Sequence, residues 1–179
     1  MIRKKEIDWF YQEGASNIYP DAWEHYLKPI PESESQDLVA AYYKRLTSED
    51  ESTRLEAAIA WSIWEASTSK LYQSEDYLHQ FEEPKVAEAF ARIECHYFTN
   101  KGFFETEEWI LENVDKIRHI PTVIVQGRYD VVCPMQSAWE LHKALPEADF
   151  KIVQDAGHSM TEKGIAAKLV EYTDKYSEI

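Results

Sequence analysis

Glycine is scarce in this chain, with five among 179 residues, at positions 14, 102, 127, 157 and 164. No two of them lie four apart, which excludes the G-x-S-x-G turn that holds a nucleophilic serine between two glycines. Cysteine is scarcer still: Cys95 and Cys133 make no disulfide framework, and a reducing cytoplasm is the expected compartment. Basic residues are short as well, 19 against 33 acidic ones, for a net charge of -14. That balance argues against a nucleic-acid backbone or an anionic membrane surface as partner. No run approaches the roughly 18 apolar residues of a membrane helix, and the charged start Met1-Ile2-Arg3-Lys4-Lys5 has no apolar stretch behind it, so it does not read as a signal peptide. What the chain has is 44% apolar residues, with aromatics making up 13% of the chain, enough to bury a core in one domain or in one domain and a small lobe. It has no internal repeat and no low-complexity tract.

Two compositions follow one another and change near Ile120-Pro121, so residues 1–119 read as a helical part with its lead-in and 120–179 as a βαβα part. Ser33 to Gln36 has capping-box spacing and predicts a short helix over 37–46, after the linker Pro29–Ser35. A second helix is expected from about Thr53 to Tyr72, apolar almost all round at Ala57–Trp64 and therefore buried on more than one side. Pro84, a favoured first helical residue, opens a third, which Gly102 stops; a short one follows from Thr106. Beyond Pro121 the β-branched run Thr122–Gln126 and the run Phe150–Val153 predict two strands, with a helix over 136–145 between them. A last helix over 164–176 turns Ile165, Leu169, Val170 and Tyr172 inward. This is one parallel βαβ unit, and two strands are too few for a parallel sheet, which is ordinarily covered on both faces and flanked by further strands. The fold class is α/β with an incomplete sheet.

Each strand runs into a turn with a chemically useful residue: Gly127-Arg128-Tyr129-Asp130 after the first and Ala156-Gly157-His158-Ser159 after the second. Sites in open α/β sheets form at the carboxyl ends of the strands, which brings Asp130 and His158 to one edge. Alone, either is an ordinary turn residue. Together they match the acid and histidine that follow the nucleophile in a serine-hydrolase triad, where the acid fixes the imidazole tautomer and leaves the other nitrogen to take a proton.

Five separated blocks in order carry a wider resemblance: Glu6–Ser16, Pro20–Glu24, Trp61–Glu65, Ala91–Phe98 and Val125–Pro134. They resemble the proline iminopeptidases (prolyl aminopeptidases) of the α/β-hydrolase superfamily, over the C-terminal half of those enzymes. The resemblance implies a hydrolase core with a helical cap, no cofactor, and peptides with an N-terminal proline as substrates. It further implies Asp130 and His158 as triad acid and base, and Glu65 and Glu94 in the cap as holders of the substrate's charged imino group.

Helical periodicity sets Glu94 in a stripe of Ala87, Phe90 and Tyr97, and Glu65 between Trp61 and Tyr72. A carboxylate on a buried aromatic face needs a cation or donors. The cation is either the substrate's or an internal one such as Arg54 or Arg92. Phe98, one turn past Glu94, and Phe10 fit the family's aromatic pocket or ordinary core packing. Cys133 matches a thiol near the family's site, sensitive to thiol reagents, or is a small buried hydrophobe. His25, His96 and His119 show no metal-binding spacing, and no metal is assigned.

The departure from the family is the nucleophile. Ser16 and Ser159 are the nearest candidates, and neither follows a strand and opens a helix. The family's serine and oxyanion-hole glycines precede the point matched by Arg3-Lys4-Lys5, so the chain is expected to be inactive alone and to have the N-terminal half of the hydrolase as a candidate partner. Two other readings stand beside this one: a peptide-binding or interaction protein derived from the cap, and a non-functional remnant.

Overall fold

The structure is a computed structural model that describes residues 1–177. It divides into two compact units, a helical one of residues 2–68 and 72–107, and a strand-containing one of Met1, residues 69–71 and the chain from Glu108 onward. Residues 108–119, read from the sequence as the end of the helical part, count with the strands because Val114 packs with Leu145 and Ala148.

The helical unit comprises α1 (Lys4–Tyr11), α2 (Pro20–Leu27), α3 (Leu38–Leu46), α4 (Glu51–Ser69), α5 (Glu75–Phe81) and α6 (Pro84–Thr99). α1, α2 and α5 lie in segments the sequence reading left without helices. α3 is capped by Asp37, whose carboxylate accepts from Ala40 N at 3.0 Å. Ser33 instead falls in a 3-10 turn over Glu32–Glu34, so the expected capping box is not formed. Ser74 caps α5 and Glu83 caps α6 in the same way as Asp37.

α6 turns Ala87, Ala91 and Cys95 inward, all fully buried. Their small side chains let it pack closely on α3. Tyr97, two residues beyond Cys95 and about 200° further round the helix, is exposed, so the expected stripe through Tyr97 is rotated off the core. Phe90 is half-buried, with its ring edge-on to Phe81. Tyr72 lies beyond the end of α4 and is 81% exposed, so Glu65 is not bracketed by it. The chain leaves the left-handed region only after a full turn of it: Lys101, Gly102 and Phe103 all have φ near +60°, and this ends the α6 segment. The unit's core is aromatic, with Phe10, Tyr11, Tyr26, Tyr42, Trp61 and Trp64 each at most 2% exposed. Such ring pairs add about 0.5–1.5 kcal/mol each beyond the area they bury.

The second unit holds α7 (Trp109–Glu112), β1 (Val123–Gly127), α8 (Met135–Ala144), β2 (Asp149–Val153) and α9 (Lys163–Tyr176). β1 and β2 pair in parallel, Val123 opposite Asp149 through Gly127 opposite Val153. Alternation along β1 divides its side chains between two layers. Ile124 joins Val114, Leu141, Ala144, Leu145 and Ala148, while Val125 joins Val153, Ala156, Ile165 and Leu169. α9 buries Ile165 and Tyr172 as expected, but Val170 is 60% exposed. Among the described residues the sheet has these two strands only.

Candidate active site

The turns after β1 and β2 approach each other closely. A Cβ on Gly127 would come within 1.8 Å of the Gly157 carbonyl oxygen, so only glycine fits there. The turn after β2 is held by a short hydrogen-bond network: His158 N and Ser159 N both donate to Ser69 O at 2.9 Å, and Gly157 N donates to the Glu162 side chain, Oε1, at 2.8 Å. Glu162 Oε2 accepts from Leu71 N at 3.2 Å.

This scaffold brings Asp130 and His158 together. His158 Nδ1 lies 3.0 Å from Asp130 Oδ2. The Asp130 side chain is 6% exposed and the imidazole 39%. Cys133 N donates to Asp130 Oδ1 at 2.7 Å, and Gln126 Nε2 donates to Asp130 Oδ2 at 3.1 Å. Gln126 also reaches Cys133 O at 3.1 Å, locking the turn that carries the acid. The carboxylate thus has one oxygen held by the backbone and the other shared by an amide and an imidazole, which fixes its plane. With Nδ1 committed to Asp130, Nε2 is the ring nitrogen left to exchange a proton. Burial works against the imidazolium, but the hydrogen bond and charge of Asp130, with a contribution from the Cys133 thiol, outweigh it and raise the His158 pKa to about 11. Cys133 is half-buried beside the acid.

Glu65 and Glu94 belong to the helical unit. Glu65 is 5% exposed and accepts a hydrogen bond from the Tyr11 hydroxyl. Glu94 is half-buried and accepts from Trp61 Nε1 at 2.8 Å. Arg54 and Arg92, weighed as internal partners for these carboxylates, both reach Glu88 instead, at 3.0 and 3.1 Å. A cavity of about 730 Å³ in this unit has Tyr11 and Phe98 in its wall, with Ile2, Ile7 and Phe104. Phe98 therefore stands at a cavity. Phe10 is 2% exposed, with its ring on Trp64 at 5.2 Å, and takes no part in the lining. The aromatic residue at that point is its neighbour Tyr11, which sequence reasoning missed because residues 4–11 show no apolar period long enough to mark a helix with an inner face. Gln126 was missed too. Its signal was a polar side chain at the end of an otherwise apolar strand.

Among the described residues no group of three or more His, Cys, Asp or Glu side chains converges for a metal ion. No helix among them is long and apolar enough to cross a membrane.

Parallel strands with an acid after one and a histidine after the next, bonded to each other, define the closing part of a hydrolase sheet. A family model described as the alpha/beta hydrolase fold matches residues 11–164, and the chain belongs to that family. The chain is 60% identical over 176 residues to a probable proline iminopeptidase of Leptolyngbya boryana, covering 98% of this chain and 55% of that protein. It is 57% identical to a proline iminopeptidase of Arabidopsis thaliana, covering 98% and 46%, and 54% identical to one of Xylella fastidiosa strain Temecula1, covering 98% and 56%. The chain spans about half the length of these curated relatives.

Proposed function

We propose that this chain is the acid–base and cap portion of a serine-type prolyl aminopeptidase, which releases an N-terminal proline from peptides in the cytoplasm. The observation that carries this reading is the Asp130–His158 contact, made through Nδ1 at the ends of adjacent parallel strands. The names of the relatives support the choice of substrate.

In the mechanism proposed, a serine outside this chain attacks the prolyl carbonyl while His158 Nε2 takes its proton. Asp130 keeps the proton on Nδ1, so Nε2 is the acceptor, and its charge stabilises the imidazolium that forms. When the tetrahedral intermediate collapses, His158 gives the proton to the leaving peptide amine. Water then enters, His158 takes its proton in turn, and attack on the prolyl ester releases proline and restores the serine. Glu65 and Glu94 hold the cationic imino group, with Phe98 against the proline ring.

Because the nucleophile lies outside the chain on this reading, the purified chain incubated with proline naphthylamide releases no naphthylamine. Turnover that a serine-directed inhibitor titrates stoichiometrically contradicts it. A second reading, binding of peptides by the helical part without catalysis, has one observation in its favour: the cavity beside Tyr11 and Phe98 is lined entirely by residues of that unit.

A further inference from the structure

Tyr11 and Trp61 are stacked, with ring centroids 4.4 Å apart and planes 18° from parallel. Each carries one polar hydrogen, and each delivers it to a different carboxylate: Tyr11 to Glu65 and Trp61 to Glu94. The donors and acceptors alternate between helices. Tyr11 on α1 reaches Glu65 on α4, and Trp61, one turn before Glu65 on the same face of α4, reaches Glu94 on α6. Both rings are almost fully buried, and Phe98 lies against both, at 5.2 and 6.2 Å. Tyr42 meets Trp61 edge-on at 5.2 Å. The stacking thus joins the donor of one carboxylate to the donor of the other.

We propose that the stacked Tyr11–Trp61 pair is a positioning element that sets the two carboxylates for a secondary ammonium, a cation with two N–H donors. The inference rests on the reading of Glu65 and Glu94 as holders of the imino group. A donor to a carboxylate favours its ionised form, so loss of either donor makes its carboxylate easier to protonate. Titratable neighbours among the described residues include Tyr11 on α1 and Tyr26 on α2, each coupled to both carboxylates, and Cys95 on α6, coupled to Glu94; Tyr42 on α3 stacks on Tyr26. Burial pushes the three phenols well up and the Cys95 thiol to about 12, so all four stay neutral near neutral pH.

The test is calorimetry of L-prolinamide with the full chain from about pH 4.5 to about pH 8.5. Wild-type binding is expected to weaken on acidification as the carboxylates protonate. Tyr11→Phe, which keeps the ring, and Trp61→Phe each weaken binding by about tenfold and move the acid limb to higher pH. In a Glu65→Gln background, Tyr11→Phe adds no further loss. An unchanged acid limb in Tyr11→Phe, whether affinity is kept or falls equally at every pH, overturns the positioning role while leaving the reading of the glutamates intact. Absence of prolinamide binding to the wild-type chain overturns that reading, and this inference with it. Thermal melts establish that each variant folds, and a Trp61→Phe that does not fold leaves the decision to Tyr11→Phe and the Glu65→Gln cycle.

Discussion

His158 is pulled in two directions. Its Nδ1 hydrogen bond to Asp130 raises its pKa to about 11, yet a general base must be neutral near pH 7 to accept a proton. In the chain alone it is therefore an imidazolium paired with a carboxylate, and the pair acts on stability. A folded-state pKa above the unfolded value of about 6.5 gives stability that is fully present below about pH 6.5 and is lost as pH rises towards 11. Denaturant melts between these limits are expected to show that loss in the wild-type chain and not in His158→Gln; parallel curves for the two contradict it. On the proposed reading, covering Nε2 with the remaining part of the hydrolase adds desolvation, which disfavours the cation and lowers the pKa towards neutrality. NMR titration of the imidazole before and after recombination reads this shift directly. Asp130 and His158 were legible in the sequence because each follows a strand and a glycine turn. The residues that orient them were not. Gln126 acts through three bonds that exist only once the turn has closed, and a polar residue ending a β-branched run does not by itself show that it braces an acid four positions on.

Among the helices, α1 shows how a segment without an obvious apolar stripe can be anchored. Arg3 is 2% and Glu6 7% exposed; Arg3 N donates to Glu6 Oε2 at 2.8 Å and Arg3 Nε to Oε1 at 3.0 Å. Removing one member of a buried pair takes a compensating charge from the other, so Arg3→Met is expected to lower stability by about 3–5 kcal/mol, with Arg3→Met/Glu6→Leu recovering part of it. Lys4 and Asp8 make the comparison on the exposed side of the same helix, where Lys4→Met is expected to leave the melt unchanged. For α6 the informative change is Ala91→Leu. Ala91 is fully buried on the inward face of α6, and added methylenes there are expected to cost about 1–3 kcal/mol, read by urea denaturation. Elements with strong local punctuation were legible: Pro84 opens α6, and Pro121 and Gly127 bracket β1. α1 and α5 were not: each is only about two turns long, α1 has its buried rings Phe10 and Tyr11 together at its end, and α5 is marked by a serine cap and not by a long apolar period. The inward face of α6 was misread for a related reason. Periodicity gives a repeat, but the choice of face was made by the small residues Ala87, Ala91 and Cys95, and the large Tyr97 was left outside.

For the molecule as a whole, the two-stranded sheet and the half-length match to its relatives point the same way. The shortage of glycine that opens the sequence is, on the proposed reading, the trace of a nucleophile turn carried elsewhere. The central claim is that this chain supplies the acid and base to a serine it does not contain. The direct measurement is naphthylamine release from proline naphthylamide after mixing the chain with the separately expressed part of the Leptolyngbya boryana relative that it does not match. The account predicts silence from each part alone, release from the mixture, and no release when the chain carries His158→Gln. A soluble complex that releases nothing, or one that works equally well with His158→Gln, contradicts it.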